Sequence, residues 1–127
     1  MIYDNQTFLF NTVDTVNLGL MQERYNYENE LMAAISQGNI HKGELMMKNF
    51  SMVAFESRTP DRLREMKNYC IIMNTLSRKA AESGGVHPIY LDSISSHFAR
   101  KIEEINSLSA MNDFMLEILR GYCNLVK

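Results

Sequence analysis

PDRLREMKNYCIIMNTLSRKAAESGGVHPIYLDSISSHF, residues 60–98, decides the fold. Pro60 has no backbone N–H and a fixed φ, which suits the first helical position, while the pair Gly84-Gly85 is free to take the left-handed backbone that ends a helix. Between them Tyr69, Cys70, Ile71, Ile72 and Met73 are apolar at every consecutive position, hence around the whole circumference, and predict a helix enclosed by protein. Asn74 and Thr75 break the run, and Arg78, Lys79 and Glu82 follow before the glycines, so the helix passes from buried to charged along its length. Such an element is the core helix of a bundle and requires neighbours.

The flanking sequence supplies them. Over residues 16–37, Leu20, Tyr27, Leu31, Ala34 and Ile35 recur at helical spacing among Gln22, Glu23, Arg24, Glu28 and Glu30, and Gly38-Asn39 closes the segment. A second helix is predicted over 40–56, with Leu45, Met46, Phe50, Val53 and Ala54 inward and His41, Lys42, Glu44 and Lys48 in water; residues 57–59 turn into Pro60. After Val86-His87-Pro88 a fourth helix starts between Pro88 and Ser93 and carries Ile94, Phe98, Ile102 and Ile105 as its apolar stripe. Ser107 or Ser109 caps a fifth, whose inward set is Met111, Phe114, Met115, Ile118, Leu119 and Tyr122. Residues 1–15 hold Ile2, Tyr3, Phe8, Leu9 and Phe10 without sustained periodicity and read as irregular. The expected architecture is an all-α bundle of about five helices with short connections, its helical domain running over 16–127. Ten methionines, several on these stripes, describe a core or interface that repacks more readily than one of leucine.

Composition excludes several classes. A chain of 127 residues has room for one domain, and 46% hydrophobic residues suffice for a real core. A net charge of -2 and a pI near 5.9 do not make a phosphate-binding footprint, which depends on several lysines and arginines neutralising a backbone. Cys70 and Cys123 lie among apolar helical residues without a thiol or histidine cluster and read as reduced core cysteines. No apolar run approaches the roughly 20 residues that span a bilayer, and no secretory leader pattern opens the chain, so no membrane partner and a cytoplasmic location are expected.

No constellation meets the demands of catalysis, and the chain is expected not to be an enzyme and to need no cofactor. His41, His87 and His97 stand apart, without the spacing that gives zinc three or four ligands. Glu103 and Glu104 are adjacent and project at different angles from a helix, a solvated-face pattern. Ser95, Ser96 and His97 are neighbours in sequence, which on a helix do not face one another as a nucleophile and base must. Gly84-Gly85 ends a helix where a phosphate cradle would open one. The segment IYLDSISSHFARKIEEI begins like a helix-turn-helix, but no glycine turn follows and Ile102, Glu103 and Glu104 continue the helix.

The polar residues of the core helix and of the loop after it are the candidates for a site. Asn74, Arg78 and Glu82, at i, i+4 and i+8, form one polar stripe; His87 and Tyr90 flank Pro88. Asn74, Arg78, His87 and Tyr90 together would make a ligand-binding or domain-docking site, docking being preferred. The local alternative has Asn74 satisfying a backbone group of the neighbouring loop, Arg78 pairing with Glu82 at the helix end, His87 bonding near the helix end and Tyr90 packing with its hydroxyl at the surface.

Several words in order carry a family likeness: Lys67-Asn68, Asn74-Thr75-Leu76, RKAAE over 78–82 and GVHPIYLD over 85–92. With RYNYENELMAAISQGN over 24–39, Ile102-Glu103 and the closing GYCNLVK over 121–127, they cover most of the chain. This series resembles the helical region upstream of the DNA-binding domain in AraC/XylS-class bacterial transcription regulators. The resemblance implies a regulatory module that couples an input to a domain of two helix-turn-helix units, which this chain does not contain. DNA is then a partner only through that missing domain, and a homodimer and a small-molecule effector are further candidate partners. It also makes the fifth helix the output lever, with Tyr122, Leu125 and Val126 as interface candidates. An effector-sensing domain is the alternative, and a pocket bordered by Tyr69, Asn74 and Tyr90 is what it would require.

Overall fold

The computed structural model describes residues 18–49 and 60–126, and these form five helices, with no strand among the described residues: α1 Leu18–Ser36, α2 Ile40–Lys48, α3 Arg62–Ser83, α4 Pro88–Glu104 and α5 Leu108–Val126. The all-α bundle with short connections expected from the periodicities is the observed architecture. The irregular segment expected over 1–15, the 50–56 portion of the second helix with Phe50, Val53 and Ala54, and the 57–59 turn lie outside the described residues.

Two helices organise the bundle. α3 packs against α1, α4 and α5, and α5 touches all four of the others. Every residue expected to turn inward from α5 does so: Met111, Phe114, Met115, Ile118, Leu119 and Tyr122 are buried, joined by Cys123. Phe98 of α4 meets Phe114 edge-on and Tyr122 at a tilt, with centroids 5.6 Å apart in each case, so the α4–α5 contact is aromatic. Both cysteines are free and buried, and burial pushes the Cys70 thiol up to about 12.

The ends of α3 differ in one respect from expectation. Asp61 is the N-cap, its side chain accepting from Arg64 N–H at 3.1 Å, so Pro60 precedes the helix and does not open it. A carboxylate satisfies an orphan N–H at a helix start, which a proline cannot do. At the other end the two glycines have separate tasks. Gly85 takes φ +101, and Gly84 lets α1 approach, since a Cβ there would stand 2.3 Å from the Ser36 carbonyl oxygen.

Enclosure of α3 on all sides is the expectation that fails. Its buried face is Met66, Tyr69, Cys70, Met73, Asn74, Ser77, Ala80 and Ala81, but Ile71 and Ile72 are 41% and 42% exposed. Three neighbouring helices cover three faces, and the fourth carries Ile71, Ile72, Thr75 and Lys79 into solvent. α2 covers Ile40–Lys48, with Asn49 as its C-cap. Leu45 was expected inward and is 53% exposed. The reason is Gly43, the residue of α2 that is buried: a Cβ there would meet Leu119 of α5 at 2.6 Å. Helix contact through Gly43, with Met46 and Met47 one turn on, turns Leu45 roughly 200° away at about 100° per residue.

α4 runs unbroken from Pro88 to Glu104, through the segment that began like a helix-turn-helix. Pro88 occupies its first turn, and Leu91 adds a buried position to the expected Phe98 and Ile102.

Candidate functional site

Asn74 is the polar centre of the α3–α4–α5 junction. It is 5% exposed, and its side chain uses both ends: Nδ2 donates to the Ser95 carbonyl of α4 at 3.0 Å, and Oδ1 accepts the Tyr122 hydroxyl of α5 at 2.6 Å. A buried amide left unpaired is costly, so this arrangement fixes the register of three helices against one side chain. Burial raises the Tyr122 pKa, against the opposing pull of the Ser95 side chain and the Arg78 charge, and the phenol remains a neutral donor.

The remaining predicted residues do not converge on Asn74. Arg78 is half-buried and close enough to act electrostatically on Tyr122, but Glu82 pairs with Lys79 at 2.6 Å in place of the expected partner Arg78. The Lys79 hydrogen bond, then its charge and that of Arg78, hold the Glu82 carboxyl below its ordinary value. His87 is the N-cap of α4, its Nδ1 accepting from Ile89 N–H at 3.1 Å, and Tyr90 is 61% exposed. Asn74 thus satisfies a backbone group, but one of helix α4 and not of the loop as the local alternative had it, while His87 bonds locally and Tyr90 stays at the surface. A pocket bordered by Tyr69, Asn74 and Tyr90 does not form, because Asn74 is consumed inside the core while Tyr90 faces water.

At the output end, Tyr122 is fully buried within its own chain and is a core residue, not a surface for a partner. Leu125 and Val126 are half-buried and pack against the core, leaving part of each side chain accessible.

A cleft that sequence reasoning missed lies between α1, α2, α3 and α5. It encloses about 630 Å³, within the range of small-molecule sites. Tyr27 and Tyr69 line it and interact through their side chains, Met47, Met66 and Met115 add thioether surface, and Leu45 stands at its exposed rim. Burial, the largest cause in both, pushes the Tyr27 phenol up to about 12 and raises that of Tyr69. Glu44 of α2 accepts from Arg120 Nε of α5 at 2.7 Å, tying two walls together. Nothing local in the sequence signals the cleft, since Glu44 and Arg120 are 76 positions apart and each reads as an ordinary wet-face charge. Among the described residues no group of three or more Cys, His, Asp or Glu side chains is placed to hold a metal ion, and no helix is long and apolar enough to cross a membrane.

Comparison with known proteins finds no matching family model, no matching characterised protein and no matching solved structure.

Proposed function

We propose that this chain is a non-catalytic regulatory and dimerisation module of an AraC-type transcription regulator, working in the cytoplasm and carrying an input to a separate DNA-binding domain. The reading is supported by how the words of the resemblance are used. Lys67 Nζ donates to the Glu103 carbonyl at the end of α4, Asn68 accepts from Arg64 at 3.0 Å, Asn74 joins three helices, Gly85 takes the left-handed turn, and His87 caps α4. These residues serve the α3–α4–α5 frame, which is what a shared scaffold requires. None supplies a reactive group, as expected of a module that acts by moving.

The mechanism follows from the frame. α5 is the proposed lever: it touches every other helix, and the Tyr122 hydroxyl holds it to Asn74 of α3, whose amide in turn donates to Ser95 of α4. A shift of α5 between two packings repositions whatever follows it, and a few kcal/mol of differential contact suffice to bias such an equilibrium. The test joins this chain to a heterologous DNA-binding domain that represses a reporter only as a dimer. Repression at least tenfold stronger than that of the domain alone is the expected result, and repression no stronger overturns the reading. Entry of the signal through a bound small molecule is the form of input that the α1–α2–α3–α5 cleft favours.

A further inference from the structure

We infer that the cleft between α1, α2, α3 and α5 binds a small neutral aromatic or alicyclic molecule bearing a hydroxyl group, with Tyr27 and Tyr69 as its polar recognition pair. Its role as the input rests on the regulatory reading above; the binding itself does not.

Three observations define the ligand. The first is capacity: about 630 Å³ accommodates a small organic molecule, and the space is bounded by four helices and not by a single face. The second is charge. Glu44 and Asp113 are matched by Lys48 and Arg120, and the strongest cation among them, Arg120, is already bonded to Glu44 at 2.7 Å. A lining without an excess of either charge gives an ion little to offset its lost hydration, and the Glu28 carboxylate, which acts on both phenols, disfavours an anion further. The third is the wall chemistry. Met47, Met66 and Met115 present polarizable, adaptable surface of the kind that packs on aromatic and irregular apolar shapes. Within this wall the phenols of Tyr27 and Tyr69 are protonated at neutral pH, as ordinary phenols are, and each hydroxyl can donate and accept. A ligand hydroxyl can join that pair as a third member, which a pure hydrocarbon cannot.

Regulation by such a ligand has a direct route. α5 contributes Met115, Leu116 and Arg120 to the cleft and Tyr122 to the Asn74 junction, so cleft and junction share one rigid element. Along α5 the cleft residues Met115 and Arg120 stand about three and about one and a half turns from Leu125 and Val126 at its end.

The experiment titrates the full chain, labelled at its methionine methyls, with three probes of one shape: neutral 2-naphthol, anionic naphthalene-2-sulfonate and cationic 2-naphthylmethylammonium. Saturable shifts at Met47, Met66 and Met115 with 2-naphthol, at least fivefold tighter than with either ion, are expected. Tyr27→Phe should weaken 2-naphthol at least fivefold, and Leu45→Trp, at an exposed rim position that folding tolerates, should block it. Absence of saturable shifts up to millimolar probe, tighter binding of either ion, or 2-naphthol affinity unchanged in both variants would overturn the assignment. The readout involves no DNA. Failure here removes the cleft and leaves the regulatory module standing, whereas failure of the reporter fusion leaves the binding result untouched.

Discussion

The α3–α4–α5 side and the α1–α2 side of this bundle are built on different terms. In the first, three helices of 17 to 22 residues bury side chains along their whole length, and a polar junction at Asn74 is satisfied from two directions. In the second, α1 buries only Leu31, Ala34 and Ile35 near its C-terminal end, α2 buries only Gly43, and Leu18, Tyr25 and Leu45 are more than half exposed. The first is a frame; the second, more sparsely buried, is a flap, and the two meet closely where Ser36 approaches Gly84.

The strongest way to break the comparison is to delete equivalent volume on the two sides. Ile102→Ala, at a fully buried frame position, should cost about 3–4 kcal/mol in urea unfolding. Leu45→Ala, half-exposed on α2, should stay within about 0.5 kcal/mol. Equal costs would abolish the distinction.

Next come two of the glycines at close approaches. Gly84→Ala drives a methyl onto the Ser36 carbonyl, a backbone atom that cannot rotate away, and should destabilise by about 2–3 kcal/mol. Gly43→Ala meets only the Leu119 side chain, and about 1 kcal/mol is expected if that side chain finds another rotamer. Thermal unfolding of the pair separates a rigid backbone contact from a yielding side-chain contact.

The Asn74 junction is sharpened by Tyr122→Phe, which removes the donor and leaves the Asn74 oxygen buried without it, at about 1–2 kcal/mol. A double-mutant cycle with Asn74→Ala should give a coupling of about 1 kcal/mol. Independent, additive effects would mean that the 2.6 Å bond does not hold α5.

The smallest effect is read from pH. The Cys70 thiol is raised in the folded protein from an ordinary 9.0 to about 12, so above pH 9 the unfolded chain loses a proton that the folded chain keeps. Stability therefore falls with rising pH in this window, by about 1 kcal/mol at pH 10 from this group. Tyr27, raised from 10.0 to about 12, acts with the same sign above pH 10. Denaturant titrations of Cys70→Ala at pH 7 and pH 10 should show a smaller loss of stability than the parent chain.

Fold class was legible because residue type and helical period agree along the chain, most clearly in α5, whose six expected inward residues are all buried. Which face of a helix meets a neighbour was not. Ile71 and Ile72 read as core because they are isoleucines, and Leu45 because it is leucine, but their exposure is decided by where α1, α4 and α5 stand and by the absence of a side chain at Gly43. Asn74 announced itself as the polar break in an apolar run; its partners Ser95 and Tyr122 did not, being 21 and 48 positions away. The cleft was hidden for the same reason. Tyr27 and Tyr69 looked like two core aromatics of two helices until the fold put their hydroxyls together.

Residue-resolved hydrogen exchange of the free chain tests the division into frame and flap most directly. The slowest amides should lie in α3 and α5 around Asn74 and Tyr122 and exchange only through global unfolding, with α2 and the first half of α1 faster by two or more orders of magnitude. Uniform protection across all five helices, or an α2 as slow as α3, would contradict the account.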